Sequence, residues 1–211
     1  MSIDPTASRL AATGVSYAPD IANAARRYGL DPDLLAAVAA QETGGPDANG
    51  GRNVVGDGGH GHGLFQIDDR YHPFASTASA MDPARNADYA AGMISGLLKR
   101  YGGNVHEALS AYNAGSPNAT GTRTRWSDGS DPGYADSVLR HYQRLTGEPA
   151  QASAIAESSA TVASIGALGS QAQSLPLPQA ARASLQPAHH YHRQATNYMD
   201  LFNDDTDEIN S

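Results

Sequence analysis

Cysteine is absent from the 211 residues, so disulfides, thiolate nucleophiles and zinc–thiolate sites are all excluded. Charge is sparse: Asp, Glu, Lys and Arg make up only 17% of the chain, with a formal net charge of -8. An acidic chain without clustered Lys and Arg is a poor partner for nucleic acid, whose phosphates demand such clusters. The same balance offers no attraction to anionic membranes. No apolar run reaches the length of a membrane span, so membrane insertion is not expected. The opening "MSIDPTASRLAATGVSYAPD" has no basic region followed by an apolar run. It does not read as a secretory signal, and the expectation is a protein made in the cytoplasm without one.

Helix start signals, by contrast, are plentiful. "APDIANAARRYG" predicts a helix from Pro19 to Tyr28, closed by Gly29. Asp31 before Pro32 begins a second helix running towards Glu42, and Asp82 before Pro83 a third, to about Tyr101. Asn104 with Glu107 resembles a capping box ahead of "VHEALSAYNAG", and Asp131-Pro132 opens the last helix. The short "GLFQI" is the one strand candidate. The expectation is a mainly α domain over residues 18–147, with at most a minimal β element. Residues 1–17 read as a flexible arm. Residues 148–211 read as a low-complexity, largely disordered tail, too poor in large apolar side chains to offset its ordering entropy.

The chemistry concentrates around one acid and one loop. Leu35, Val38 and Ala39 mark a buried helical face, and Glu42 continues it. Burial and the partial negative charge of a helix C-terminus both disfavour a carboxylate there and would raise its pKa. That suits a general acid, with Asp57, Asp68 and Asp69 in the following Gly-rich loop as ionised partners. From position alone, a purely structural buried acid is an equal alternative. A metal reading of Asp57, His60, His62 and His72 is weaker, because no zinc-peptidase helix motif accompanies them. Neither a metal nor another cofactor is expected.

The order Glu42, a Gly-rich segment, "GHGLFQIDDRYH", "ALSAYNAG" and "DPGYADSVL" resembles the goose-type lysozyme and soluble lytic transglycosylase superfamily. The resemblance covers about residues 18 to 147. It implies a lysozyme-like helical fold and cleavage of the β-1,4 bond between N-acetylmuramic acid and N-acetylglucosamine in peptidoglycan. Residue by residue, it implies that Glu42 is the catalytic acid and that Asp57 and Asp68 hold or activate water. Gln66 would line the sugar cleft, Tyr112 and Asn113 would stand beside the acid, and Tyr134 would reach back to it. Tyr71 and Trp126 are further candidates for stacking on sugars. Both aspartates together favour a hydrolase, a muramidase, over a lytic transglycosylase that releases an anhydro sugar. A non-catalytic glycan-binding module is the remaining alternative. A monomer is expected, reaching the periplasm or cell wall by phage-type release or a secretion system, with a cognate inhibitor as a further possible partner.

Overall fold

The computed structural model describes residues 4–147. The expected tail from Glu148, including the HHYH cluster, lies outside them.

The first helix corrects the reading of residues 1–17 as an arm. α1 spans Pro5–Ala12, and Asp4 caps it by accepting from the Thr6 backbone N–H at 2.8 Å. The Asp4-Pro5 pair is the same start signal used at Asp31-Pro32 and Asp82-Pro83. Ala7 and Leu10 are buried against the domain, and Arg9 grips Asp33 with two hydrogen bonds of 2.8 and 2.7 Å. A few apolar contacts and one bidentate ion pair suffice to dock it.

α2 (Ala18–Tyr28) ends at Gly29, whose φ of 64° lets the Leu30 N–H return to Ala25 at 2.9 Å. α3 (Pro32–Ala39) is the central helix, and Leu34 through Ala40 are buried without a break. α4 (Pro83–Arg100) packs on α2, and α5 (Val105–Ala114) packs between α4 and the last helix. Asp82 caps α4 and Asn104 caps α5, as their sequences require. α6 spans Tyr134–Thr146 and lies along α3, with Tyr142 donating to Asp31 at 2.7 Å.

That last helix begins later than its Asp131-Pro132 signal. Residues 131–133 are taken up by pairing with the preceding loop: the Thr124 N–H donates to Pro132 and the Tyr134 N–H to Thr120. Gly133 is the N-cap, and a Cβ there would meet the Thr120 carbonyl at 2.5 Å.

The glycine-rich loop is also more regular than its composition implies. It forms a three-stranded antiparallel sheet in the order β1-β2-β3, with β1 at Val54–Gly56, β2 at Gly61–Gly63 and β3 at Ile67–Asp68. "GLFQI" is therefore not one strand: Gly63 ends β2, Ile67 begins β3, and Leu64, Phe65 and Gln66 are the turn between them. Leu64 and Phe65 plug that turn into the core. Asn86 of α4 anchors it, accepting from the Phe65 N–H at 2.8 Å and donating to His62 and Ala80. No helix among the described residues is long and apolar enough to cross a membrane.

Candidate active site

α3 does not run straight to Glu42. It widens into a π-helical turn over Ala40–Gly44, closed by the Gly45 N–H donating to Ala40 at 3.1 Å. In an unbroken α-helix Glu42 would sit on the stripe of Leu35 and Ala39, both fully buried. The extra residue in the turn rotates it off that stripe. Glu42 is half-buried instead, on the wall of a cleft of about 450 Å³ between the sheet and the loop before α6.

Its environment sets its proton affinity. Burial pushes the Glu42 carboxyl up to about 7, against a hydrogen bond that the Tyr134 hydroxyl donates to Oε1 at 2.6 Å. Burial and the nearby Glu42 raise the Tyr134 phenol well above its ordinary value, so it remains a donor. Tyr112 backs this pair. Its ring lies 6.3 Å from that of Tyr134, and its hydroxyl donates to the Phe65 carbonyl at 3.1 Å.

Across the sheet, Asp57, Gln66 and Asn113 share the cleft with Glu42. Gln66 adopts φ of 48° and donates its amide to Val54 and Gly63 at 3.0 and 2.9 Å. A Cβ at Gly56 or Gly61 would come within 2.2 or 2.5 Å of its Oε1, so glycine at both leaves the amide room to lie across the strands. Asn113 accepts from the Thr122 N–H at 2.8 Å and fixes the loop forming the far wall. Asp68 stands behind, at the end of β3. Arg70 joins it to Asp57: the guanidinium bonds Asp57, and its Nε reaches both Asp68 oxygens at 2.9 and 3.1 Å. Burial pushes Asp68 up, but these Arg70 bonds outweigh it and hold the carboxyl below its ordinary value.

Two expected sugar-stacking residues are elsewhere. Trp126 is only 3% exposed; its Nε1 donates to Ser137 at 3.0 Å and the Arg140 guanidinium lies 4.3 Å above its ring. It is core, because α6 covers the loop that carries it. Tyr71 is 54% exposed, but it sits beside Arg70 and does not line the cleft. Arg70 and Gln41 went unpredicted. Gln41 donates to Thr124 at 2.7 Å and accepts from Ser137, tying the acid's helix to the far wall. Its position next to Glu42 was the one sequence signal available.

The histidines of the loop converge on Asp69, His60 Nδ1 at 2.8 Å and His62 Nε2 at 3.2 Å. His60, Asp68 and Asp69 form the one group among the described residues with metal-compatible spacing, within 4.8 Å. Each already has a protein partner, and His72 turns away to Tyr89 at 3.1 Å. A second depression of about 410 Å³ is lined by Arg27 and Asp88, which neutralise each other, and holds none of the motif residues.

The family described as the transglycosylase SLT domain matches residues 20–128. The chain belongs to this family. As an SLT domain it is an enzyme that cleaves glycosidic bonds of peptidoglycan, and its substrate places its action in the periplasm or cell wall. The matched residues carry Glu42, the sheet and the α5 Tyr-Asn pair. Tyr134 lies beyond them, and α6 brings it back to the acid.

Proposed function

We propose that this SLT domain is a muramidase that hydrolyses the β-1,4 bond between N-acetylmuramic acid and N-acetylglucosamine, with Glu42 as general acid. The observation that carries this reading is the Glu42 carboxyl, raised to about 7 and sharing a cleft with Asp57. A carboxyl titrating near neutral pH holds a proton it can transfer. Glu42 donates that proton to the glycosidic oxygen as the C1–O bond breaks. A water held by Asp57 attacks C1 from the opposite face and passes its own proton to that carboxylate. Asp68 acts through Arg70, keeping Asp57 at the cleft edge.

One observation favours a second reading. Arg70 pairs with both aspartates and occupies carboxylate oxygens that an attacking water would need. A lytic transglycosylase needs no such base for water, because the C6 hydroxyl of the muramoyl residue attacks C1 and closes an anhydro ring. Digestion of purified peptidoglycan in ¹⁸O-water separates the two. Hydrolysis gives reducing ends that carry the label; anhydro-muropeptides, one water lighter and unlabelled, would sink the hydrolase reading.

A further inference from the structure

Arg52 has no part in the chemistry described so far. It lines the same cleft as Glu42, and no carboxylate partner for it occurs among the described residues. Seven described arginines each hold an aspartate; among the described arginines without a carboxylate partner, Arg52 is the one that lines the cleft. We propose that Arg52 recognises a carboxylate carried by the muramic acid residues of the glycan strand, and so sets substrate preference.

The residue is exposed but tethered. Its backbone N–H donates to Thr43 Oγ1 at 2.8 Å and its Nε to the Thr43 carbonyl at 3.0 Å. Thr43 is buried and directly follows Glu42; its hydroxyl has the Ala39 and Leu64 carbonyls at 3.2 and 3.1 Å as acceptors for its single proton. Gly51 allows this close approach, since a Cβ there would meet the Ala39 carbonyl and Thr43 Oγ1 at 2.4 Å. Nε is thus occupied, while the two terminal nitrogens keep their donors in a planar fork that fits a carboxylate bidentately. The two carboxyl groups of the cleft wall do not compete for it. Glu42 accepts from Tyr134, and Asp57 is held by Arg70.

The sugars of the strand are neutral, so they offer a fixed cation ordinary hydrogen bonds but no charge pairing. The acids on the strand belong to muramic acid: the lactyl carboxylate where the peptide has been removed, and the stem-peptide carboxylates where it remains. The proposal rests on the cleft being the glycan site, and the test keeps the two apart. Binding is measured by calorimetry on the full chain carrying Glu42→Gln, with and without Arg52→Gln. Three probes are used: a neutral N-acetylglucosamine oligomer, peptide-free strands and peptide-bearing strands.

Arg52→Gln is expected to weaken carboxylate-bearing strands by about tenfold or more, as for a lost charge-assisted pair. The neutral oligomer should be unaffected. Loss on peptide-free strands identifies the lactyl group; loss confined to peptide-bearing strands identifies the stem peptide. Equal weakening of all three probes, or of none, overturns the proposal. If no probe binds before Arg52 is changed, the glycan-cleft reading itself fails. Should Arg52→Gln melt early, Arg52→Lys keeps the charge without the fork; it must weaken acidic strands and spare the neutral oligomer.

Discussion

At the scale of single residues, the pairing of Glu42 with Tyr134 makes two predictions. Glu42→Gln keeps size and hydrogen bonding but removes the transferable proton, so turnover of peptidoglycan should fall by about 100-fold or more with the fold intact. Circular dichroism and a muropeptide release assay check both halves. The pH profile is set by the same carboxyl. With its pKa at about 7, turnover should decline on the alkaline side of neutrality as the acid ionises. Tyr134 donates to Glu42 and favours the carboxylate. Tyr134→Phe therefore raises the Glu42 pKa and moves the alkaline limb of the profile to higher pH. A limb that stays in place or moves down would mean that another group is the acid.

At the scale of elements, the short sheet acts as one piece. Arg70 on the β3 side clamps Asp57 beyond β1 and Asp68 at the end of β3, so these three side chains should behave as a unit. Asp57→Asn, and Arg70→Gln through it, should lower turnover at saturation by about tenfold or more while glycan binding changes little, since a water-positioning group acts chiefly in the transition state. Asp68→Asn should follow Arg70→Gln, and the double variant should cost no more than the larger single one. Separate measurement of kcat and of binding in each variant decides it. Equal losses in binding with kcat unchanged would assign the cluster to substrate docking.

At the scale of the whole molecule, the buried His141 and the desolvated Glu42 oppose each other in pH-dependent stability. His141 is 1% exposed, its Nδ1–H donates to Ala48 at 2.9 Å, and burial lowers its pKa to about 4. Below its unfolded value near 6.5 the unfolded chain takes up the proton first, so stability falls from there down to about pH 4. Glu42, raised from 4.5 to about 7, has the reverse sign: the native state binds the extra proton, and stability rises as pH falls through that window. In urea unfolding of the wild-type chain between pH 7 and pH 4, Glu42 therefore offsets much of the loss due to His141, to which His72, also lowered by burial, adds. In Glu42→Gln the offset is gone, and stability should drop by roughly 3 kcal/mol over the same range. A flat profile in that variant would contradict the buried neutral histidine. Chain boundaries make a separate prediction. Truncation after Gly147 should leave melting temperature and activity on purified peptidoglycan intact, because the helices that enclose the cleft end there. Removal of α1 should lower the melting temperature, because it strips cover from the core and leaves Asp33 without Arg9.

Signals that act over a few residues were legible in the chain. Asp-Pro and Asn caps, glycine stops and apolar periodicity located α2, α3, α4 and α5, because each rests on bonds within one or two turns. The spaced motifs marked Glu42, Asp57, Gln66 and Asn113, which the fold brings to one cleft. Other features rest on partners distant in the chain. Trp126 is buried because α6 covers it, and α1 docks because Arg9 meets Asp33. Arg70 and Arg52 acquired their places only when the glycine-rich loop closed into a sheet against α3. The π turn that moves Glu42 from the buried stripe to the cleft wall follows from packing too, since nothing in "AAQETGG" distinguishes it from a helix end. Local bonding fixes where elements begin; burial and charge pairing depend on what the folded chain puts beside them.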